Sequence, residues 1–301
     1  MSSVHSDTPK GYAFAISAYV LWGILPIYMK ALDHLAPVEV LGHRVLWSVP
    51  IAAAVLWVLG RTQDLKTALA TPRTLLMGVV TATIISINWG TYIYSIVSGQ
   101  ALDAALGYYI NPLFSVLLGA ILLGERLSPL KWAAIALAFT AVVILTVETG
   151  RLPLVALALT VSWGFYAYFK RSLPIGPNQG FLLEVLILAP PAFAYLMYLS
   201  ATGQSHFLAG SAVDTWLLIG CGVVTAVPLM LYANGAKGLR LSTIGILQYI
   251  VPTMIFLIAV FVFNEPFGQA RMVAFPLIWL ALGLYSIALW RETKSSRLSS
   301  A

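Results

Sequence analysis

The feature that most restricts the fold of this chain is a series of ten long apolar runs separated by short polar connectors. A helix crosses the hydrocarbon core of a bilayer with roughly 20 apolar residues, whereas an open sheet edge in lipid would leave backbone groups unpaired. Only 9% of the residues are charged, against about 25% in soluble domains. The pattern therefore predicts an all-α integral membrane protein with ten transmembrane helices. The runs cover approximately 11–30, 38–59, 74–98, 103–123, 130–147, 152–170, 178–200, 213–236, 242–263 and 270–290.

The connectors are too short to hold a soluble domain. The longest is 60–73, and others such as 36–39 and 173–178 contain Pro or Gly. We expect the first run to remain as a helix, because it is longer than the core of a typical signal peptide and lacks a convincing small-x-small cleavage pattern. The segment 1–10 and the Ser-rich end 295–301 are expected to be disordered, and 292–301 is expected to form a cytoplasmic tail.

The distribution of basic residues predicts the orientation in the membrane. Of the 17 Lys and Arg residues, 13 fall on the side of the two termini, three fall on the opposite side, and Arg44 falls within a span. Cytoplasmic loops carry the excess of Lys and Arg, so both termini are predicted to be cytoplasmic. Orientation thus accounts for the net charge of +6, and no nucleic-acid partner is expected.

The two halves of the chain resemble each other when one is shifted by 140 residues, which places 108–125 over 248–265. Each half holds five helices, an odd number, so the second half enters the membrane from the opposite side. Two inverted repeats, at 11–148 and 151–291, are therefore predicted, and this arrangement is typical of transporters. The identical pairs are Tyr109 and Tyr249, Ile110 and Ile250, Pro112 and Pro252, Leu117 and Leu257, and Glu125 and Glu265.

Several motifs, in this order, resemble the EamA branch of the drug/metabolite transporter superfamily, and more narrowly its RarD-type proteins. They are WGILPIYMK (22–30), HRVLWS (43–48), NW (88–89), LGYYINPL (106–113), GERL (124–127), LLEVL (182–186), TAVPL (225–229), RLSTIGILQYIVPT (240–253) and FPLIW (275–279). The resemblance covers nearly the whole chain. It implies two EamA repeats, ten helices, a bacterial inner membrane and transport in the direction of efflux. The RarD name refers to chloramphenicol sensitivity, which does not establish the substrate.

Two formal charges, Arg44 and Glu184, lie well inside predicted spans, and the 140-residue shift exchanges them. Charged side chains inside a membrane are costly and are candidates for function. Our hypothesis places both in a cavity between the halves, where Arg44 binds an anionic group such as a carboxylate and Glu184 binds an amine or a coupling proton. In the alternative, Arg44 extends to the headgroups and Glu184 caps a neighbouring helix. His43 is either a titrating group or a hydrogen-bonded structural residue.

Pro112 and Pro252 stand at matching positions near the middle of their predicted helices. A proline inside a helix removes one backbone donor and displaces the carbonyl four residues earlier. Interrupted helices at corresponding positions of two repeats indicate a transporter binding site, and a simple packing kink is the alternative. The polar side chains expected at these breaks belong to Tyr109, Asn111, Gln248 and Tyr249.

Aromatic and amide side chains near the predicted midplane complete the candidate site. Trp and Tyr so far from the membrane surface are not interfacial anchors, so they either pack against other helices or line a cavity. Packing is the better interpretation for any single ring, whereas the group as a whole favours a cavity for aromatic or moderately hydrophobic solutes. The residues are Trp22, Asn88, Trp89, Tyr92, Trp163 and Tyr232.

The remaining polar pairs are predicted to be structural. Asp103 and Thr243 occupy equivalent positions that suit helix N-caps. Glu125 and Glu265 are expected to cap or brace the next helix, and gates at opposite faces are the alternative. Because Cys221 is the only cysteine and the four histidines are scattered, we predict no intrachain disulfide, no metal and no cofactor.

These features predict a secondary transporter of small organic solutes, which are metabolites, amino-acid-like or amphipathic drug-like compounds. It would export them by alternating access, with the solute and the lipid bilayer as partners. The alternative is a membrane-embedded enzyme or lipid-handling protein, but no phosphate loop, HExxH pair or nucleophile elbow is present in the sequence. Gly220 and Gly222 suit either a homodimer interface or packing within the chain.

Overall fold

The structure, a computed structural model, describes residues 7–58, 60, 63–209 and 211–298. Every regular secondary-structure element in these residues is an α-helix. Nine spans in this part of the chain are long and apolar enough to cross a membrane. The all-α membrane fold predicted from the sequence is thereby confirmed. The helices are α1 (Pro9–Lys30), α2 (Pro37–Val58), α3 (Gln63–Ala70), α4 (Pro72–Val97), α5 (Ala101–Leu123), α6 (Pro129–Thr149), α7 (Leu154–Arg171), α8 (Pro177–Ala201), α9 (Ala212–Lys237), α10 (Leu241–Leu247), α11 (Ile250–Phe261) and α12 (Gln269–Leu298).

All ten predicted spans correspond to helices, with ends that differ by a few residues. The span 242–263 is divided into α10 and α11 by Gln248 and Tyr249. Helix α7 is not among the nine apolar spans, because Lys170 and Arg171 in its last turn lower its mean hydropathy. Helix α3 is an additional short helix in the longest connector.

Both termini are more ordered than predicted. Helix α1 starts at Pro9, within the segment 1–10, and α12 continues to Leu298, within the segment 295–301. The polar composition of these segments favoured disorder, but Lys, Arg and Glu are good helix formers that extend an existing helix at little cost. Residues 1–6 and 299–301 lie outside the described part of the chain.

The start of α1 is fixed by a side-chain cap and by a contact with a distant loop. The hydroxyl oxygen of Thr8 accepts a hydrogen bond from the N–H of Gly11 at 3.0 Å. The backbone N–H of Thr8 donates to the carbonyl of Gly238 at 2.9 Å. The N-terminal segment is thus attached to the connection between α9 and α10.

The helices pack in pairs, and the 140-residue shift turns each of the most extensive pairs into another pair or into itself. Under the 140-residue shift, α1 corresponds to α7, α2 to α8, α4 to α9, α5 to α10 and α11, and α6 to α12. Three of these pairs correspond to three others. The pair α1–α9 corresponds to α7–α4, and the pair α5–α7 corresponds to α11–α1. The pair α2–α9 corresponds to α8–α4. The pairs α2–α8 and α6–α12 map onto themselves. The residue limits of the repeats, 11–148 and 151–291, stay predictions.

Glycines allow α9 to approach its neighbours closely. A β-carbon at Gly222 would collide with the backbone of Trp47 on α2, and one at Gly220 would collide with the hydroxyl of Tyr28 on α1. Small residues commonly mediate such contacts between membrane helices. Both glycines therefore serve packing within the chain, and the predicted homodimer has no assigned face.

We expect Gly222→Ala to lower the free energy of unfolding by about 1–3 kcal/mol, the usual cost of adding a methyl group to a filled contact. The control is Gly283→Ala, because a β-carbon at Gly283 meets no atom within 4 Å and alanine is the better helix former by about 1 kcal/mol. Thermal unfolding in one detergent compares both variants with the wild type. Equal stability of the two variants would contradict the close contact between α2 and α9.

Candidate functional site

Arg44 is turned into the protein, where three helices meet. It lies on α2 and is only 4% exposed. Its Nε donates to the hydroxyl oxygen of Thr225 on α9 at 2.8 Å, and its guanidinium carbon lies 4.7 Å from the centre of the Trp89 ring on α4. The side chain therefore does not extend to the headgroups, and its charge stays between the two halves.

These neighbours hold Arg44 through Nε and leave another of its nitrogens free. The hydroxyl of Thr225 donates to the carbonyl of Cys221 at 2.7 Å, so its oxygen can accept from the guanidinium. In the described part of the chain, Nη1 of Arg44 is buried without a hydrogen-bond partner. Leaving a buried donor unpaired costs about 1–3 kcal/mol, and more when the group is charged. A ligand that offers an acceptor oxygen would remove this cost.

Tyrosine side chains extend the polar surroundings of Arg44. The rings of Tyr92 and Tyr108 are 5.9 Å apart, and both residues lie within electrostatic range of the guanidinium. The Tyr92 hydroxyl is buried and, among the described residues, has no partner. The group formed by Arg44, Trp89, Tyr92, Tyr108 and Thr225, called here the arginine site, thus combines a cation, an aromatic face and unpaired hydrogen-bonding atoms.

Two predicted amide residues have different surroundings. The side-chain nitrogen of Asn88 donates to the carbonyl of Leu159 at 3.2 Å and to the hydroxyl of Ser162 at 2.9 Å. These bonds connect α4 to α7, so Asn88 joins helices. Asn111 is buried, and its side-chain oxygen has no partner in the part of the chain that the structure describes. Asn111 can therefore still accept a hydrogen bond.

The tryptophans predicted near the midplane of the first and sixth spans lie in aromatic clusters. Trp22 packs against Tyr19 at 6.0 Å and against Tyr232 at 5.7 Å between ring centres. Trp163 packs against Tyr166 at 5.7 Å. Neither tryptophan makes a described contact with Arg44, so packing is the direct role of both rings.

Glu184 is paired with a lysine rather than with Arg44. It is 1% exposed, and its Oε1 lies 2.7 Å from the Nζ of Lys170 on α7. The Tyr166 hydroxyl donates to Oε2 at 3.1 Å, and the Lys170 ammonium lies 5.5 Å from the centre of the Tyr166 ring. We call Lys170, Glu184 and Tyr166 the carboxylate cluster.

Arg44 and Glu184 each have their own described partners, and a cavity shared by the two stays a prediction. Both charges stand about seven residues after the start of their helix, roughly 10 Å along the axis. The helices run in opposite directions in an inverted repeat, so the two charges lie at different depths. The cap of a neighbouring helix, the alternative role of Glu184, is replaced by the ion pair with Lys170.

Sequence reasoning missed Lys170 and Thr225 as partners of the two charges. Lys170 stands at the polar end of a span, where a lysine is ordinarily assigned to the membrane surface. Its long side chain instead reaches back to Glu184. Thr225 is one hydroxyl in an apolar span, and only the packing of α9 on α2 places it beside Arg44. Thr225 begins the motif TAVPL (225–229), but a sequence motif does not show which side chain of another helix it contacts.

A third buried charge, Glu39, was also missed and serves a connector. It is 1% exposed and accepts hydrogen bonds from the backbone N–H of His206 at 2.8 Å and from its ring at 2.9 Å. The next residue, Phe207, lies 4.8 Å from the His43 ring, and Nε1 of Trp47 donates to His43 at 3.3 Å. His43 and Glu39 thus attach the connector between α8 and α9 to α2, which agrees with the structural interpretation of His43.

The two proline motifs meet across the halves, but only one helix is interrupted. The Tyr109 hydroxyl lies 2.8 Å from the Thr253 hydroxyl, which joins α5 to α11. The predicted break is present before Pro252, between α10 and α11, whereas α5 continues through Pro112. The expectation of two matching breaks is therefore wrong for this structure.

A local hydrogen bond explains the difference between the two helices. The Gln248 side chain donates to the carbonyl of Gly245 at 3.1 Å, and such side-chain to backbone bonds compete with the helical pattern. The equivalent residue of α5 is Tyr108, whose side chain cannot make this bond with its own turn. Proline in a membrane helix is otherwise tolerated when neighbouring helices satisfy the backbone.

A groove of about 470 Å³ lies beside the proline motifs at the surface of the helix bundle. The hydroxyl of Tyr249 is buried and unpaired among the described residues. Arg44 does not line the groove, so the predicted site residues fall into two separate groups. The residues that line the groove include Tyr109, Tyr249, Thr253, Phe256, Trp279 and Ser286.

The groups of the arginine site are hydrogen-bonding, cationic and aromatic. The nearby Cys221, whose carbonyl accepts from the hydroxyl of Thr225, has a fully buried thiol. In residues 7–58, 60, 63–209 and 211–298, no group of three His, Cys, Asp or Glu side chains is placed to hold a metal ion.

Residues 9–147 match the model of the EamA-like transporter family. The chain is 42% identical to a transporter of Vibrio cholerae over 95% of both chains. It is 36% identical to the protein RarD of Escherichia coli over 97% of this chain and 99% of that protein. A crystal structure with 19% sequence identity superposes with a TM-score of 0.57, over 91% of this chain and 96% of its own, and shares the fold.

Proposed function

This chain belongs to the EamA-like transporter family, with RarD-type relatives, and from this premise we propose that it exports small organic solutes by alternating access. It is a multi-pass membrane transporter. The proposed solutes are metabolites, amino-acid-like compounds or amphipathic drug-like compounds. Within this range we place an anionic group, such as a carboxylate, at the arginine site.

The observation that carries this proposal is the buried Nη1 of Arg44, which has no hydrogen-bond partner among the residues that the structure describes. A guanidinium binds a carboxylate through short, charge-assisted hydrogen bonds. The Trp89 face and the free Tyr92 hydroxyl supply an apolar surface and a further polar contact beside it. A solute with a carboxylate next to an aromatic or aliphatic body fits these groups.

Alternating access is supported by the paired contacts of the two halves. Transporters with inverted repeats open a central site to each side in turn as one part moves against the other. Arg44 on α2 and its partners on α4 and α9 come from both halves. A relative movement of the halves would therefore open or close the arginine site.

Transport is proposed to be secondary, since the sequence contains no nucleotide-binding loop. Glu184 was predicted to bind an amine or a coupling proton. The Lys170 ammonium already occupies the place of an amine on this carboxylate. A coupling proton is therefore the role of Glu184 that we retain.

The proposed location is the bacterial inner membrane, with both termini in the cytoplasm. The excess of Lys and Arg on the side of the termini supports this orientation, and the relatives named above are bacterial. The Vibrio cholerae relative is named as a transporter, which favours transport over the alternative of a membrane-embedded enzyme or a lipid-handling protein.

Thermal unfolding of the purified protein in detergent tests the proposed substrate class. The panel holds aromatic and aliphatic amino acids, amphenicols, nucleosides and polyamines at two pH values, and phenylacetate with its amide and phenethylamine. A ligand at about 100 times its dissociation constant stabilises by roughly 2.7 kcal/mol. We expect stabilisation by carboxylates and none by the amide and the amine. Stabilisation by polyamines alone would contradict the assignment of an anion to Arg44.

A further inference from the structure

The two equivalent glutamates, Glu125 and Glu265, make the same backbone hydrogen bond, but their side chains have different contacts. The N–H of Glu125 donates to the carbonyl of Gly119 at 3.3 Å, and that of Glu265 donates to the carbonyl of Ala259 at 2.9 Å. These acceptors are themselves equivalent under the 140-residue shift. The same turn therefore ends α5 and α11, and the side chains start from matching positions.

Glu265 caps the first turn of α5, a helix of the other half. Its Oε1 accepts from the N–H of Ala101 at 2.7 Å, and its Oε2 accepts from the N–H of Leu102 at 2.9 Å. The side chain of the N-cap residue itself makes no cap bond. Arg271 adds an ion pair with Asp103 at 2.9 Å. This end of the α5–α11 pair is closed by contacts between the halves.

Glu125 lies at the opposite end of the α5–α11 pair and caps nothing. It is exposed, and its carboxylate has no hydrogen bond or ion pair with the residues that the structure describes. The equivalent target would be the backbone N–H groups of residues 241 and 242, at the start of α10. Asp7 from the N-terminal segment binds the residues on either side of them.

Asp7 holds the start of α10, the helix end that symmetry would assign to Glu125, through Arg240 and Thr243. Its Oδ1 accepts from the backbone N–H of Arg240 at 2.8 Å, and its Oδ2 accepts from the Arg240 guanidinium at 2.6 Å and from the Thr243 hydroxyl at 2.8 Å. The Arg240 guanidinium holds the pKa of the Asp7 carboxyl well below its ordinary value. At one end of the protein Glu265 thus holds the start of α5, and at the other end Asp7 holds the start of α10.

We propose that Glu265 and Glu125 are alternating latches, each of which caps the other half's helix in one of two states. In the state described here, Glu265 holds α5 and Asp7 holds the start of α10. In the opposite state, the two halves exchange conformations, as inverted repeats permit. Glu125 then caps the start of α10 in place of Asp7, and Glu265 releases α5. This inference rests on the proposed alternating access.

The physical basis is the cost of an uncapped helix start. The first four N–H groups of a helix lack partners within it, and a carboxylate satisfies them and interacts favourably with the helix dipole. A cap present in one state alone stabilises that state relative to the other. Two caps at opposite ends, each present in a different state, balance the two states.

Thiol labelling in lipid nanodiscs tests the latches without a known substrate and reaches both ends of the protein. The reporters are Ala104→Cys and Ile244→Cys, in a Cys221→Ala background. Ala104 and Ile244 are equivalent and buried, at 0% and 9% exposure. Labelling by a polar maleimide at each reporter therefore measures the opening of its own end.

We expect Glu265→Gln to raise the labelling rate at position 104 by about five- to tenfold, the range for the loss of one charged cap. Asp7→Asn should act in the same direction, because it also removes a contact of the described state. Glu125→Gln should lower the rate at position 104, because it removes a cap of the opposite state and so favours the described one. The matched control is Arg126→Gln, which removes the neighbouring exposed charge and should leave both rates unchanged.

Glu125→Gln is the decisive variant, because its carboxylate has no partner in the state described here and folding should not depend on it. Equal labelling rates in Glu125→Gln and Arg126→Gln, with both reporters labelled in the wild-type background, would overturn the latches and leave alternating access intact. Absence of labelling at one reporter in the wild-type background and in every variant would overturn alternating access and the latches together.

Discussion

Replacing Lys170 by methionine is expected to lower the free energy of unfolding by about 3–5 kcal/mol, the range for removing one partner of a buried ion pair. Methionine keeps the apolar stem of the side chain but removes the ammonium that lies 2.7 Å from Glu184. Because Glu184 is 1% exposed, neither water nor headgroups can replace the lost charge. Denaturant or thermal unfolding in detergent measures the effect.

Lys30 supplies a matched control for the Lys170 variant, since the 140-residue shift makes the two lysines equivalent. Lys30 pairs with Asp33, and the two side chains are 40% and 39% exposed. An exposed pair contributes about 0–1 kcal/mol, so Lys30→Met should have a small effect. The double variant Lys170→Met/Glu184→Gln should recover most of the lost stability. A cost for Lys170→Met no larger than that for Lys30→Met would contradict the carboxylate cluster.

Arg44→Ala is expected to weaken the binding of a carboxylate ligand by at least about 30-fold, which corresponds to roughly 2 kcal/mol, the lower end for truncating one partner of a buried charged hydrogen bond. The reason is that the free Nη1 is the donor assigned to the ligand. The dissociation constant from ligand-dependent thermal unfolding, for the strongest carboxylate of the panel, gives the measurement.

Two further variants separate binding by Arg44 from a general effect on the fold. Arg44→Lys keeps the positive charge but loses the planar fork, so it should bind with intermediate affinity. Thr225→Val removes the acceptor of the Arg44 Nε bond and should weaken binding less than Arg44→Ala. A carboxylate that binds equally well to wild-type and Arg44→Ala protein would place the substrate elsewhere, and the groove beside Tyr249 would be the next candidate.

The membrane fold could be predicted from the sequence because lipid restricts the chain to continuous helices. Long apolar runs therefore correspond directly to helices, as α1, α2 and α4 show. The predictions failed where a local hydrogen bond decides the structure. The bond from Gln248 to Gly245 interrupts one proline-containing helix, whereas the other continues through Pro112. The cap by Thr8 likewise orders a segment whose composition favoured disorder.

The candidate site was predictable only as a set of unusual residues. The rarity of charge in a span singled out Arg44 and Glu184, and the structure shows that both are buried. Their partners depend on how helices pack, and neither the 140-residue shift nor hydropathy contains that information. Lys170 and Thr225 were therefore missed as the partners of Glu184 and Arg44. The shift did, however, identify Glu125 and Glu265 as a pair before their contacts were known.

Counterflow into proteoliposomes tests the central claim, that the protein carries a small organic anion across the membrane through the arginine site. The vesicles are loaded with the unlabelled carboxylate that stabilises the protein most, and the entry of the radiolabelled compound is followed without ATP. The account predicts transient accumulation with the wild-type protein and the background of protein-free vesicles with Arg44→Ala. If a carboxylate binds to the wild-type protein but enters its vesicles no faster than it enters protein-free vesicles, the account is contradicted.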